Sequence, residues 1–169
     1  MLHRAVVTIT LGSLGLLSSC ARPREGTSAV TRPPRLMILG MRAPDPKAGE
    51  RVATLLRRDL GGRVPRAKLH IMPWSDIWNA FPPGLYDTLS LSDLGQLARI
   101  VSARAAVALS VDSSSAGVVL HSLLLRVERT SMQVDTLDSV VATDEGKAAR
   151  ALGARLASDP RLLGLPRAR

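Results

Sequence analysis

The sequence predicts a single two-layer α/β domain in which helices pack on a mixed sheet, preceded by a signal peptide and a tether. Short apolar segments typical of strands alternate with longer segments whose apolar residues recur at helical spacing. No proline lies between Pro83 and Pro160, so that stretch can hold uninterrupted elements. A chain of 169 residues suggests one domain once a leader is removed. The predicted element order is β-α-β-α-β-β-β-α.

The first half of the predicted domain is β-α-β. Residues 36–39 form an apolar run that is typical of a strand buried on both faces. Asp45 as a capping carboxylate, followed by Pro46, predicts the start of a helix. Gly61 and Gly62 predict the end of that helix, and the alternating residues 68–72 predict the second strand. The inner face of this helix is assigned to Val52, Leu55, Leu56 and Leu60.

The second half begins with another helix. Ser90 and Asp93 have the spacing of a capping box, and the inner face is assigned to Leu91, Leu94, Leu97, Ala98 and Val101. Residues 105–111 predict the third strand, and a Ser-rich turn follows at residues 112–117.

A hairpin and a final helix complete the predicted domain. Residues 118–127 and 132–142 predict the two arms of the hairpin. Thr143 predicts the cap of the last helix, with Asp144 and Glu145 in its positive first turn. Its inward residues are Ala148, Ala149, Leu152 and Leu156, and Pro160 ends it.

A short leader precedes the domain. Residues 5–17 form an apolar stretch that is shorter than the roughly 18–20 residues needed to span a bilayer. Leu17, Ser18, Ser19 and Cys20 then resemble the bacterial lipobox. We expect cleavage after a signal peptide of residues 1–19 and lipid on Cys20. The alternative is an ordinary secretory signal with a coincidental cysteine. By the same resemblance, Ala21 in place of Asp favours the outer membrane over the inner one.

The segment after the leader is predicted to be a flexible tether. Residues 20–34 comprise the lipidated cysteine and a stretch rich in Pro, Arg, Gly, Ser and Thr, which cannot bury apolar surface. The α/β domain is assigned to residues 35–158 and a basic, frayed tail to residues 159–169. A single cysteine excludes an intrachain disulfide and a multi-thiolate metal site.

The chain is strongly basic, with a net charge of +9. Such a charge suits nucleic acid, but an exported protein meets little of it, so we expect no nucleic-acid partner. The basic residues then serve either as solvated surface or as an approach to phosphate-bearing lipid headgroups. The densest basic run consists of Arg57, Arg58, Arg63, Arg66 and Lys68.

Trp74, Trp78 and Phe81 lie in the least regular part of the sequence. Trp74 and Trp78 are four residues apart, which places them on one face if this segment is helical. One interpretation is an exposed partner-binding patch. The other, which we favour, is that they cover one end of the core.

Motifs for catalysis, metals or cofactors are not found. His70 and His121 lie in predicted strands without a second ligand at suitable spacing. The sequence has neither a nucleophile elbow nor a phosphate-binding glycine loop. Asp76 and Asp87 flank the irregular segment, but spacing alone says little about a carboxylate pair. We expect no enzyme, no metal, no cofactor and no small-molecule substrate.

The element pattern resembles the amino-terminal α/β domain of TolB-type periplasmic proteins. It is also similar to lipoprotein domains of the curli-secretion and penicillin-binding-protein-activator kind. The matching pieces are residues 36–40, 52–60, 69–73, 94–111 and the hairpin 120–127 with 133–141. Two departures are Ser110 in place of the usual glycine and Glu-Arg-Thr-Ser at residues 128–131 in place of the usual turn. Propeller repeats do not follow the domain.

Together these features predict a periplasm-facing, membrane-anchored envelope lipoprotein. Its α/β domain is expected to bind an envelope protein or a second copy of itself. The alternatives are a subunit of an envelope export channel or an activator of a cell-wall enzyme. An envelope hydrolase is a further alternative, and the sequence offers it neither a nucleophile nor a metal set.

Overall fold

The structure is a computed structural model that describes residues 32–43, 46–80 and 89–166. Five strands occur in this part of the chain: β1 (Arg35–Arg42), β2 (His70–Ile71), β3 (Ala105–Ser114), β4 (Gly117–Val127) and β5 (Met132–Ala142). The helices are α1 (Pro46–Arg63), α2 (Trp74–Ala80), α3 (Leu91–Ile100), α4 (Glu145–Ser158) and α5 (Pro160–Leu163). Asp45, the predicted cap of α1, lies outside the described residues.

The strands form one mixed sheet in the order β2-β1-β3-β4-β5. Strands β2 and β3 both run parallel to β1, with Leu36 opposite Ile71 on one side and Ala105 on the other. Strands β4 and β5 continue the sheet in antiparallel fashion. The predicted α/β class with a mixed sheet is confirmed.

Helices cover both faces of this sheet, so the domain has three layers and the predicted two-layer arrangement is wrong. Leu36 and Ile38 point toward α1 and α4. Met37 and Leu39 point the opposite way, toward α2 and α3. Alternate strand residues face opposite sides of a sheet, and all four of these side chains are fully buried. The prediction that residues 36–39 are buried on both faces is therefore confirmed.

Two predicted helix boundaries are wrong. Helix α1 continues through Gly61 and Gly62 to Arg63, because the glycines adopt helical geometry and do not cap it. Asp144, not Thr143, caps α4, since its carboxylate accepts a hydrogen bond from the Lys147 amide at 2.8 Å. The predicted capping box of α3 is confirmed, with Ser90 and Asp93 bonding each other's backbone amides.

The structure differs from the sequence predictions in two helix faces, in two strand lengths and in the segment after α4. Leu55 and Leu91 were assigned to inner helix faces, yet both are exposed. Strand β2 has only two residues, whereas β3 extends three residues beyond its predicted end. After Ser158 the chain forms the short helix α5 instead of a frayed end, because Leu162 is fully buried in the core beside α4.

Candidate functional site

An aromatic pair on α2 is the predicted partner-binding feature that the structure describes. The ring centroids of Trp74 and Trp78 lie 5.8 Å apart with an interplanar angle of 65°. This is the edge-to-face arrangement that aromatic quadrupoles favour. The two side chains share one face of the helix, as their four-residue spacing predicts.

The two tryptophans have different environments. Trp74 packs against the core on the α3 side of the sheet, and the guanidinium carbon of Arg57 lies 4.8 Å from its ring centroid. Trp78 is 44% exposed. The core-covering interpretation is therefore right for Trp74, and Trp78 is left on the surface. Phe81, the third predicted member of this patch, lies outside the described residues.

Arg57 has a different role in the structure from the one that the sequence indicates. It belongs to the basic run for which the sequence offers an approach to lipid headgroups, yet it is only 9% exposed. Its guanidinium donates a 2.5 Å hydrogen bond to the carbonyl of Ile38 in β1. Arg57 is therefore a structural residue that joins α1 to the sheet and to Trp74. Helical periodicity is the only sequence signal for this buried position, because Arg57 lies four residues after Ala53 and three before Leu60 on the inner side of α1.

The other predicted site residues are distributed as follows. Leu17, Ser18, Ser19 and Cys20 lie outside the described residues, as does Asp87. Asp76 forms an exposed ion pair with Arg35 at 3.0 Å. His70 lies half-buried in the edge strand β2.

A polar chain that the sequence did not predict crosses three neighbouring strands. His121 Nδ1 lies 2.7 Å from the Ser139 hydroxyl, and its Nε2 lies 3.5 Å from a carboxylate oxygen of Asp112. The register of β4 against β5 shifts between Leu120 and Ser122, and this irregularity sets Ser139 beside His121. Linear spacing carries no signal for such a contact, because it depends on where the strand bulges.

A cavity of about 400 Å³ adjoins this polar chain. Its apolar lining comes from β1, α3 and β4 and includes Met41, Leu91 and Leu123. Its polar lining comes from β3, β4 and β5 and includes Ser110, His121 and Ser139. The order of serine, histidine and aspartate resembles a nucleophile triad in composition. However, the side chains of His121 and Asp112 are 51% and 59% exposed, and their contact is too long for a hydrogen bond. Water competes for both groups, so the arrangement is a surface polar contact.

Lowered pKa values occur at helix starts. Hydrogen bonds from the Ser90 hydroxyl and amide lower the pKa of Asp93, and the Lys147 amide lowers that of Asp144. The ion-paired hydrogen bond from Arg161 lowers the pKa of Asp159. These shifts reflect capping and local pairing, which are structural roles.

Two negative findings apply to the described part of the chain. It contains no cluster of three or more histidine, cysteine or acidic side chains placed to hold a metal ion. None of the helices found there combines the length and apolar character needed to cross a bilayer.

Comparisons with known proteins give likenesses at the level of solved structures. No family model matches the chain, and no curated protein sequence matches it. A PelC dodecamer from Paraburkholderia phytofirmans is 14% identical with a TM-score of 0.45, and the match covers 82% of this chain and 93% of that one. Lipoprotein GNA1162 from Neisseria meningitidis is 13% identical with a TM-score of 0.46, and the match covers 75% and 99%.

TolB, whose amino-terminal domain the sequence resembles, is also among the similar structures. The TolB structure from Acinetobacter baumannii is 15% identical with a TM-score of 0.44. The match covers 76% of this chain and 29% of TolB. All three TM-scores lie below 0.5, so the likenesses carry no argument about function.

Proposed function

We propose that this chain is a lipid-anchored protein of the bacterial envelope whose α/β domain is a non-enzymatic interaction module. The anchor is Cys20, the chain's only cysteine, which ends the lipobox-like residues 17–20. Export by the signal peptide and anchoring at Cys20 would leave the domain facing the periplasm, and the lipobox resemblance implies a preference for the outer membrane because Ala21 stands in place of Asp. The proposed partner is an envelope protein or a second copy of the chain.

The observation that carries the interaction proposal is the exposure of Trp78. A large aromatic side chain that is 44% exposed leaves much of its area free for a partner. Its neighbour Trp74 packs against the core and lies beneath Arg57. Trp78 is therefore held on a fixed base. Tryptophan is enriched among interface residues that contribute most to affinity, and a pre-positioned ring loses less entropy on binding.

The export-channel alternative is less consistent with the packing. It would require the β4–β5 hairpin to leave the domain and cross a membrane, and its 11-residue arms are long enough for that. Yet Leu120, Leu124 and Leu125 of β4 are fully buried in the two cores. Removing β4 would expose those side chains and separate β5 and α4 from the sheet.

Lipid labelling tests the anchor. Cells expressing the full chain are supplied with a radiolabelled fatty acid, and the wild type is compared with Cys20→Ala. We expect label in the wild type and complete loss of label in the variant. Equal labelling of the two chains would refute the anchor.

Affinity capture of the intact lipidated chain tests the interaction. We expect the wild type to recover a defined envelope protein or a homo-oligomer, and Trp78→Ala to lose it. Val134→Ala, which changes another exposed apolar side chain on a different element, serves as the matched control and should retain the partner. A monomer without a partner, or equal recovery by Trp78→Ala, would contradict the proposal.

A further inference from the structure

Charged side chains are unevenly divided between the two ends of the sheet. We define the tether-side rim as the edge where the tether joins β1, together with the α1–β2 turn, the α3–β3 connection and the β4–β5 turn. Backbone hydrogen bonds of 2.9 Å hold these parts together. The Arg104 amide donates to Arg35, the Val127 amide donates to Arg104, and the His70 amide donates to Pro34.

The tether-side rim has a surplus of positive charge. Its basic residues are Arg32, Arg35, Arg66, Lys68, Arg99, Arg104, Arg126 and Arg129, and its acidic residues are Asp76, Glu128 and Asp135. Two of the three acids are in ion pairs, Asp76 with Arg35 at 3.0 Å and Asp135 with Arg126 at 3.1 Å. Asp159, at the adjoining end of α4, lies near Arg126 and is paired with Arg161 at 2.7 Å. Arg66, Lys68, Arg99 and Arg129 are all exposed.

The opposite rim, where β3 meets β4 and where α3 and α4 begin, carries acidic groups together with basic partners. Arg51 pairs with Glu145 at 2.8 Å, and Lys147 lies 3.7 Å from Asp144. Asp93 and Asp144 cap the two helices, and Asp112 and Glu145 lie close by in the fold. Charges at this rim are therefore largely balanced, and the surplus of positive charge lies at the end that receives the tether.

An exposed apolar side chain lies next to Arg99 on this rim. Ile100 is the last residue of α3 and is 70% exposed, the most of any large hydrophobic residue in the described part of the chain. Its neighbour Arg99 donates hydrogen bonds to the carbonyls of Glu128 and Ser131, which fixes the β4–β5 turn beside the end of α3. An apolar side chain next to basic ones is a combination found on surfaces that lie on lipid headgroups.

We propose that the tether-side rim docks on the surface of an anionic phospholipid bilayer, with Ile100 entering the headgroup layer. This proposal rests on the proposed lipid anchor. An extended tether from Cys20 to Arg32 spans at most roughly 40 Å, and it enters the domain at this rim. The anchor thus keeps the basic rim at high effective concentration next to the bilayer. Docking then turns the opposite rim and its loops toward the periplasm.

A single fluorophore reports the docking. Because Cys20 is the chain's only cysteine and is occupied by lipid in the proposed form, Ile100→Cys provides a unique thiol for an environment-sensitive dye. The lipidated full chain is reconstituted in phosphatidylcholine vesicles with and without phosphatidylglycerol. We expect a blue shift and quenching by lipid-borne quenchers only with the anionic vesicles. A dye placed at Ser115→Cys, on the opposite rim, should show neither.

Charge reversals of equal size provide the matched control. Arg66→Glu with Arg129→Glu changes the tether-side rim, and Lys147→Glu with Arg150→Glu changes the first half of α4 by the same net charge. Each basic residue near an anionic surface contributes roughly fivefold to binding, so the rim pair should weaken docking by about 25-fold or more. The α4 pair should leave it within about twofold, because a Debye length of about 10 Å screens distant charges.

Flotation separates failure of the anchor from failure of docking. If the chain is lipidated, it floats with neutral and anionic vesicles alike, whereas loss of flotation with neutral vesicles would refute the anchor. With flotation intact, an equal dye signal in both vesicle types would refute docking. Equal weakening by the two charge-reversed pairs would also refute it. A concentration-dependent signal in neutral vesicles would assign the rim to self-association and overturn the proposal.

Discussion

The guanidinium carbon of Arg57 lies 4.8 Å from the ring centroid of Trp74. The same guanidinium donates to the carbonyl of Ile38. One side chain of α1 therefore contacts a central strand and the first residue of α2. Since α2 is only seven residues long, it is too short to be stable by itself. Contacts such as these hold it in place.

Replacing Arg57 by methionine should destabilise the domain. Arg57→Met keeps most of the side-chain volume but removes the charge-assisted hydrogen bond to Ile38 and the cation–π contact with Trp74. Together these contribute about 2–3 kcal/mol to the free energy of unfolding. Arg58→Met, at the neighbouring exposed position, should change it by less than about 0.5 kcal/mol. Urea denaturation followed by circular dichroism measures both. Equal stabilities of the two variants would show that the buried contacts contribute little.

The tryptophan pair shows what the sequence can and cannot predict. Spacing placed Trp74 and Trp78 on one face, and this is confirmed because helical geometry is local. Which ring is covered depends on Arg57, a residue 17 positions before Trp74 that comes from another helix. In the sequence Arg57 is one member of a basic run. Helical periodicity distinguishes it from Arg58 as an inner-face position, but only the packing of α1 on β1 shows that it contacts Ile38 and Trp74.

The layers of the domain and the polar chain of His121 also depend on contacts that local sequence patterns do not predict. The apolar run at residues 36–39 predicted burial on both faces, and this already requires a layer on each side of the sheet. The order of elements does not say which face each helix takes, so the two-layer prediction failed. The contact between His121 and Ser139 depends on a register shift within the hairpin. Alternation along the strands does not reveal where that shift occurs.

Gly40 allows α1 to approach β1 at backbone distance. A β-carbon at Gly40 would overlap the backbone carbonyl of Gly49 in α1. Gly40→Ala should therefore push the helix away from the strand and lower the free energy of unfolding by about 3 kcal/mol or more. Gly62→Ala is the matched control, because a β-carbon there meets no atom within 4 Å.

The control substitution, Gly62→Ala, should raise the free energy of unfolding instead of lowering it. Gly62 lies within α1, where alanine is favoured over glycine by roughly 0.5–1 kcal/mol. We expect Gly62→Ala to raise the unfolding midpoint and Gly40→Ala to lower it, as measured by chemical denaturation of both variants under one set of conditions. A tolerated Gly40→Ala would mean that α1 and β1 are not in such close contact.

The capping carboxylates make the stability of the fold pH-dependent. Hydrogen bonds from Ser90 lower the pKa of Asp93 below its usual 3.8 in the folded chain. The unfolded chain therefore takes up this proton first as the pH falls. The contribution of the cap is fully present above about pH 5 and is lost as the pH falls through the lowered pKa. We expect the thermal midpoint to decline below about pH 4.

Two variants identify the cause of that decline. Asp93→Asn removes the titrating group, so the midpoint should fall less between about pH 5 and about pH 2.5 than in the wild type. Ser90→Ala keeps the carboxyl group but removes its hydroxyl donor, the largest cause of the lowered pKa. It should also reduce the fall of the thermal midpoint at acid pH, and both variants should be less stable at neutral pH. Thermal melts at a series of pH values measure this. If the thermal midpoint of both variants falls at acid pH as much as that of the wild type, the pH dependence comes from other groups.

The contact between Ser139 and His121 provides a direct test of the non-enzymatic proposal. A serine activated as a nucleophile reacts with fluorophosphonates, because the adjacent imidazole accepts its proton, the serine oxygen attacks phosphorus, and the P–F bond breaks to release fluoride. Here His121 is 51% exposed, and Asp112 lies 3.5 Å away, too far to orient the ring by a hydrogen bond. We therefore expect no fluorophosphonate adduct at Ser139 by intact mass spectrometry. The signal of Ser139→Ala should equal that of the wild type. A stoichiometric adduct that disappears in Ser139→Ala and His121→Ala would instead establish an activated serine and refute the non-enzymatic assignment.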